Sequence, residues 1–302
     1  MLTYEEFKEV IREKAEAETG CGAVVSKVFK NNGITYDGLI IMALDCNVSP
    51  TIYLNEYYDL YVENVDAKSG AIEFVWEKIY SIYKENLPKF DFDVSQFADF
   101  EKMKEKVRVR LVNTELNKER LSDIANVPFL DLSIIFYVWI DSGACKNGSI
   151  TIHKEHLKLW GKTEEELLEI ALENSRNEYA LATLTDLVKE MSGEEIKGLC
   201  EDDLKSLIPM YVISNSTRVF GASAILYPNA LKHFAETFHC TRVIIIPSSV
   251  HEGILVPCEE SEDIECYNRM VEQVNESMLQ PEEILSNHVY VYNRNSGKIE
   301  IA

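Results

Sequence analysis

Residues 242–257 read RVIIIPSSVHEGILVP, and this stretch decides the fold of the C-terminal part of the chain. Four apolar residues at 243–246 lead into Pro247, and a second apolar run follows at 253–256. Short apolar runs bounded by turn residues are typical of buried strands. The pattern therefore predicts two antiparallel strands joined by a polar turn, the first of them buried on both faces.

The polar residues between the two runs are the first candidates for a functional site, namely Ser248, Ser249, His251 and Glu252. A serine, a histidine and a carboxylate can form a nucleophilic relay. If the returning strand begins at residue 250, however, His251 and Glu252 point to opposite faces, so the carboxylate cannot orient the imidazole. We therefore exclude a relay from these four residues alone. Two interpretations remain: a turn with packing roles, or a binding site in the space that Gly253 leaves beside His251.

The rest of the chain alternates between helical and strand periodicity. Apolar residues repeat every three or four positions at 4–18, 72–83, 228–238 and 264–274, which predicts amphipathic helices. Thr163, followed by Glu166, marks a further helix start through a capping box. Strands are indicated at 34–44, 107–111, 127–140 and 150–153. Strands at 210–214 and 221–226 can pair with each other, and 288–301 is predicted to form a hairpin around an Asn-Ser-Gly turn. The predicted fold class is α+β, with antiparallel sheets built from hairpins and helices packed on them.

The domain organisation is less clearly marked than the elements. We expect an N-terminal α/β region at 1–125 and a hairpin–helix C-terminal region at 126–302, or one continuous domain. The acidic stretch at 192–203, SGEEIKGLCEDD, is the best candidate for a linker.

Two other groups of side chains are candidates for ligand binding. Tyr57 belongs to a stripe of tyrosines at 53–61 that either holds a ring-shaped ligand or forms the edge of a core. Arg108 and Arg110 alternate with apolar residues, which predicts a half-buried strand with a charged face exposed to solvent. The same two arginines could instead grip a carboxylate or a phosphate.

No metal or cofactor is predicted. His153 and His156 are spaced like two metal ligands on a helix, but no third ligand accompanies them, and a surface pair at a helix start explains them better. Neither G-x-G-x-x-G nor G-x-x-x-x-G-K-[ST] occurs, so neither phosphate-binding loop is present.

The composition restricts the partners and the compartment. The chain has 30 basic and 51 acidic residues, a net charge of −21, which disfavours nucleic-acid binding because that affinity depends on Lys and Arg contacts to phosphate. No apolar run is long enough to cross a membrane, and the charged N-terminus does not resemble a signal peptide. The 7 cysteines show no CxxC spacing and fit a reducing cytoplasm.

Several phrases of the sequence resemble an uncharacterised family, domain of unknown function 5688. They are SPTIYLNEYYDLY, VPFLDLSIIFYVWI, HLKLWGKTEEELLEIALEN, GASAILYPNALKHFAE and IIIPSSVHEGILVP. The resemblance covers residues from about 30 to 300. It implies a bacterial, cytoplasmic protein, and it implies no activity, cofactor or catalytic residue.

Two functional hypotheses follow. The first is a non-enzymatic protein that binds another protein or a peptide, because no catalytic constellation is complete and many aromatic side chains are expected at the surface. The alternative is a hydrolase or a small-molecule-binding enzyme with a pocket around His251 and Glu252, completed by Ser249 and by distant residues such as Arg108, Arg110 or Tyr57. The sequence leaves the oligomeric state open.

Overall fold

The computed structural model describes residues 1–42, 47–65, 70–87, 94–140, 148–183, 210–258 and 264–302. The chain forms two compact units that divide between Ser95 and Gln96. This division falls earlier than the predicted one at 125, because the strand at Val107–Asn113 pairs with later residues of the second unit. The predicted linker at 192–203 lies outside the described residues.

In its described residues, the first unit combines three α-helices with a three-stranded antiparallel sheet of order β1-β2-β3. Its elements are α1 (Tyr4–Thr19), β1 (Gly22–Phe29), β2 (Thr35–Met42), β3 (Thr51–Tyr53), α2 (Leu54–Asn64) and α3 (Ala71–Glu85). The predicted inner face of α1 is buried at Phe7, Ile11 and Ala15. Thr3 and Glu6 start this helix with a capping box, and Gly20 ends it in the left-handed conformation.

The tyrosine stripe forms part of this unit's core. Tyr61 is 4% exposed, and its hydroxyl accepts a hydrogen bond from the Leu2 N–H at 2.9 Å. The rings of Tyr58 and Tyr61 lie 5.4 and 5.5 Å from that of Phe7. Tyr57 is half-buried against the same core, and burial raises the pKa of its hydroxyl. The contacts agree with the core-edge interpretation.

The described part of the second unit contains two antiparallel sheets, and α4 (Val94–Phe97) spans the division that precedes it. Its first half comprises α5 (Phe100–Met103), β4 (Val107–Asn113), α6 (Lys118–Leu121), β5 (Asn126–Phe129), β6 (Leu132–Ile140), β7 (Gly148–Thr151), α7 (Lys154–Trp160) and α8 (Glu164–Asn174). Its second half comprises β8 (Tyr179–Thr183), β9 (Tyr211–Asn215), a 3₁₀ helix (Gly221–Leu226), α9 (Ala230–Thr237), β10 (Arg242–Pro247), β11 (Gly253–Cys258), α10 (Glu265–Ser277), β12 (Tyr290–Asn293) and β13 (Lys298–Ile301). The α+β fold class is confirmed. None of the helices described is long and apolar enough to cross a membrane.

The four-stranded sheet is centred on β6, which pairs with β4 along one edge and with β5 and then β7 along the other. The single strand predicted at 127–140 is wrong in one respect, because it is a hairpin. Leu130 takes a positive φ of 55° and turns the chain between β5 and β6. The turn contains none of the Gly or Asn-Gly signals that usually mark a hairpin.

The six-stranded sheet has the order β13-β12-β10-β11-β9-β8. β10 pairs with both β11 and β12, and its residues at 243–246 are all buried, which confirms the predicted central strand. On one face, Ile244 and Ile246 pack against Tyr267 and Val271 of α10. The predicted hairpin of β12 and β13 is also confirmed.

The strand predicted at 221–226 is also wrong. The sequence GASAIL at 221–226 is a buried 3₁₀ helix, and β9 pairs with β8 and β11 instead. Gly221 explains the difference. A Cβ there would lie 2.0 Å from Ser214 Oγ and 2.6 Å from the His251 carbonyl oxygen, so the backbones approach more closely than any other residue permits.

Candidate functional site

The loop between β10 and β11 holds four of the predicted site residues. β11 begins at Gly253, so the strand alternation assumed for His251 and Glu252 is wrong, and both lie in a turn. The Ser249 N–H donates to the Glu252 carbonyl oxygen at 3.2 Å, and the His251 N–H donates to Ser249 Oγ at 3.0 Å. The Ser249 hydroxyl therefore closes the turn, while Ser248 and Glu252 are half-buried beside it.

The His251 imidazole is held by its neighbours rather than by a serine. Its Nδ1 accepts a hydrogen bond from the Phe220 N–H at 3.2 Å, and its Nε2 lies 3.9 Å from Glu283 Oε1. The ring stacks on Phe220 with centroids 5.7 Å apart. The Ser249 hydroxyl contacts the histidine backbone, so the described residues do not assemble a serine–histidine pair.

The space predicted beside Gly253 is not open. A Cβ on this residue would lie 3.5 Å from Ile213 Cγ2 and 3.7 Å from Ile225 Cγ2, which are ordinary van der Waals distances. Gly253 is buried in this apolar wall.

Arg108 and Arg110 lie on a covered face of the four-stranded sheet. The expected exposure to solvent is wrong, because both arginines are half-buried and Phe220 packs over this face. Arg108 pairs across the strands with Tyr137, whose ring meets that of Phe220 edge to face at 5.7 Å.

A cavity opens on the same face of the sheet. It has a volume of about 80 Å³ and is lined by Arg108, Tyr137, Trp139, Glu178, Asn215, Ser216, Thr217 and Tyr227. The hydroxyl-bearing rings Tyr137 and Tyr227 are 2% and 3% exposed, and burial raises the pKa of both. Both are therefore neutral at physiological pH. The Tyr227 hydroxyl lies 3.3 Å from Ser223 Oγ, which itself donates to the Phe220 carbonyl oxygen, so Tyr227 donates its proton to Ser223.

Asn215 shapes the polar side of the cavity. Its side-chain Nδ2 donates to the Val219 carbonyl oxygen at 2.7 Å, and its Oδ1 accepts from Thr217 Oγ1 at 3.1 Å. Two residues that follow, Arg218 and Phe220, take positive φ values of 56° and 57°. Such strain in bulky residues is concentrated at functional sites.

Arg108 is fully engaged within the cavity wall. Its Nε and Nη2 each donate to one carboxylate oxygen of Glu178 at 2.8 Å, and its Nη1 donates to the carbonyl oxygens of Glu105 and Val107. This bidentate ion pair neutralises the arginine and fixes its position.

Arg110 has fewer hydrogen-bond partners among the described residues than Arg108. Its Nη2 donates to Thr151 Oγ1 at 3.1 Å, and its Cζ lies 4.6 Å from the centre of the Phe220 ring. Its Nε is fully enclosed and has no hydrogen-bond partner. Burial, together with the positive charge of Arg120, lowers the pKa of Arg110 to about 10. The guanidinium is still protonated at neutral pH.

The histidine pair lies at a helix start, as the sequence indicates. The His153 N–H donates to His156 Nδ1 at 3.0 Å, and His153 Nδ1 bonds Asp123 Oδ2 at 2.5 Å. Burial lowers the pKa of His156. Over the ranges that the structure describes, no three His, Cys, Asp or Glu side chains are grouped so as to hold a metal ion.

Some of the predicted site residues therefore lie in or beside the cavity, and others lie elsewhere. Arg108 lines the cavity, and Phe220 contacts both Arg110 and His251. Tyr57 belongs to the first unit. The sequence reasoning missed the cavity residues other than Arg108. Tyr137 and Trp139 are two residues apart in a strand, as Arg108 and Arg110 are, and this spacing could have placed both rings on one face of the sheet. No local pattern predicts that Glu178, 70 residues from Arg108, joins them.

Fold and site define an α+β protein with a cavity walled by aromatic rings and an arginine–glutamate pair. The chain belongs to a family of unknown function, DUF5688, whose family model matches residues 4–294. The predicted family resemblance is confirmed. No curated protein and no solved structure matches the chain.

Proposed function

We propose that this protein binds a small organic molecule with a planar ring in the cavity beside Arg108 and Tyr137. The observation that carries the proposal is the lining itself. Three aromatic side chains, Tyr137, Trp139 and Tyr227, line the cavity together with a polar turn at 215–217. Ligand sites commonly combine apolar or aromatic walls with a few fixed polar groups.

The polar groups of the cavity are held in place before any ligand arrives. Glu178 fixes Arg108 by two hydrogen bonds, and the backbone of Glu178 accepts from the Ser216 N–H at 2.8 Å. Pre-organised groups lower the entropic cost of binding. A polar substituent on a bound ring can accept a hydrogen bond from the neutral hydroxyl of Tyr137.

The protein-binding hypothesis has less support. It depends on exposed aromatic side chains, and Phe29 is the only exposed Phe, Trp or Tyr in the part of the chain that the structure describes. The hydrolase alternative needs a serine within reach of an imidazole, whereas the Ser249 hydroxyl accepts from a backbone N–H. Binding of a small molecule is the function that the geometry supports best.

A blocking substitution tests the proposal. Ser216 is exposed at the cavity, so Ser216→Trp fills the mouth without disturbing the core. Ser296→Trp, in the exposed turn between β12 and β13, is the matched control. We expect single-ring compounds to raise the melting temperature of the wild type and of the control. At a ligand concentration 100 times Kd, the free energy of unfolding should increase by about 2.7 kcal/mol. The same compounds should have no effect on Ser216→Trp. A panel that stabilises none of the proteins, or all three equally, contradicts the proposal.

A further inference from the structure

We infer that Arg110 is an anion subsite that receives the carboxylate or phosphate group of the ligand whose ring lies in the cavity. The inference rests on the proposed function and adds the chemical class of the ligand. It separates two arginines that the sequence presents as equivalent.

The first step is the contrast between Arg108 and Arg110. Arg108 donates four hydrogen bonds, two of them to a carboxylate. Arg110 donates one, to the neutral hydroxyl of Thr151, and no carboxylate pairs with it among the described residues. A guanidinium has five N–H donors, and the Nε of Arg110 is buried without an acceptor among the described residues.

The second step is the position of this charge beside the cavity. Thr151, to which Arg110 donates, pairs across the strands with Tyr137 of the cavity wall. Phe220 contacts the guanidinium on one side and the Tyr137 ring on the other. Arg110 therefore lies behind Phe220, one side chain away from Tyr137 of the cavity wall.

The third step is energetic. A partly buried cation without a counter-ion is destabilising, and a cation–π contact with Phe220 offsets only part of that cost. The neighbouring positive charge of Arg120 adds to the cost of burying the Arg110 charge. Burial and this repulsion both lower the pKa of Arg110. An anion that hydrogen-bonds the free donors removes the imbalance, and guanidinium matches carboxylate and phosphate geometry better than any other side chain.

Matched ligands and variants test the inference by calorimetry. Benzoate and benzamide have the same ring and differ in charge, and inorganic phosphate supplies an anion without a ring. The variants are Arg110→Met and, as control, Arg269→Met on the exposed side of α10. We expect the wild type and the control to bind benzoate at least tenfold more tightly than benzamide, and to bind phosphate weakly. In Arg110→Met the preference for benzoate and the binding of phosphate are lost, while benzamide binds as before.

The failure of the inference can be told from the failure of the proposed function. If benzoate and benzamide bind the wild type equally, or if Arg110→Met keeps the preference, Arg110 is no anion subsite, although the cavity still binds a ring. If neither ring compound binds and phosphate does not bind, both ideas are wrong. Melting temperatures without ligand confirm that each variant is folded.

Discussion

The charge of Arg110 in the second unit is expected to reduce the stability of the folded protein. Arg110 keeps a charge beside an aromatic ring with one hydrogen bond to a neutral partner. Replacement of uncompensated buried charge by an apolar side chain of similar volume is often stabilising. We therefore expect Arg110→Met to raise the free energy of unfolding by about 1 kcal/mol or more in the absence of ligand, measured by urea denaturation. A loss of stability would mean that the cation–π contact with Phe220 outweighs the cost of the charge.

The same substitution has a defined pH dependence. Burial lowers the pKa of Arg110 to about 10 in the folded protein, so the unfolded chain binds more protons between pH 10 and the higher pKa of an unburied arginine. The wild type accordingly gains stability from this group as pH rises through that window. The stability advantage of Arg110→Met should be constant up to about pH 9 and should shrink above pH 10. Parallel denaturation curves of the two proteins cancel the contributions of all other titrating groups, and a constant difference up to pH 11 would contradict the expectation.

Gly221 is the position with the least room. A Cβ there would lie 2.0 Å from Ser214 Oγ and 2.6 Å from the backbone nitrogen of Asn215. Gly221→Ala should therefore cost about 1–3 kcal/mol or more by overpacking and should weaken ligand binding, because Asn215 shapes the cavity. Gly253→Ala is the matched control, since its added methyl group meets only ordinary contacts and should change the free energy of unfolding by less than about 1 kcal/mol. Equal effects of the two substitutions on the melting temperature would contradict this interpretation.

At the scale of elements, one carboxylate fastens the β5–β6 turn to the six-stranded sheet. Asp131 accepts hydrogen bonds from Ser286 Oγ at 2.6 Å and from the Tyr290 hydroxyl at 2.8 Å. Tyr290 is completely buried, and burial raises the pKa of its hydroxyl. The hydroxyl has no access to water that could replace the carboxylate.

Asp131→Ala should therefore destabilise the protein by about 2–3 kcal/mol, because it leaves a buried hydroxyl unsatisfied. Adding Tyr290→Phe to that variant should restore part of the loss in a double-mutant cycle. Asp123→Ala is the control, since Asp123 is 64% exposed and pairs only at the surface, where such a pair is worth about 0–1 kcal/mol. Additive effects of the Asp131 and Tyr290 substitutions would show that the two side chains do not interact.

Elements with local signals could be predicted from the sequence, and those without them could not. The capping box at Thr163 and the apolar run of β10 were enough to define a helix start and a central strand. The hairpin turn at Leu130 was missed because it lies within an apolar run. The 3₁₀ helix at 221–226 was missed because small and apolar residues suit a strand equally well, and the close approach at Gly221 that selects the helix is a tertiary contact.

At the scale of the whole molecule, the candidate site could be predicted only in part. Its residues come from β4, β6, the start of β8, the end of β9 and the segment after the 3₁₀ helix. Periodicity places side chains on a face of one element but does not say which faces meet. The arginines of β4 were therefore recognised as candidates, while their separation into a neutralised Arg108 and an uncompensated Arg110 depends on Glu178, which is distant in sequence.

The net charge of −21 has a consequence for the rate of ligand binding. An acidic protein repels an anion at long range, and salt screens this repulsion over a Debye length of about 30 Å at 0.01 M and about 8 Å at 0.15 M. We expect the association rate constant of benzoate to rise with ionic strength in this range, and that of benzamide to stay constant. Stopped-flow tryptophan fluorescence can follow both reactions. An association rate for benzoate that falls with salt would mean that the positive charges of Arg110 and Arg120 dominate the field at the cavity mouth.

The ion pair between Arg108 and Glu178 also bears on how the second unit opens. Arg108 belongs to the four-stranded sheet, and Glu178 directly precedes β8, the last strand in the order of the six-stranded sheet. The Tyr179 end of this strand is thus tied to another sheet by a bidentate ion pair beside the cavity. A molecule bound in the cavity should therefore slow the amide hydrogen exchange of β8 most at this end.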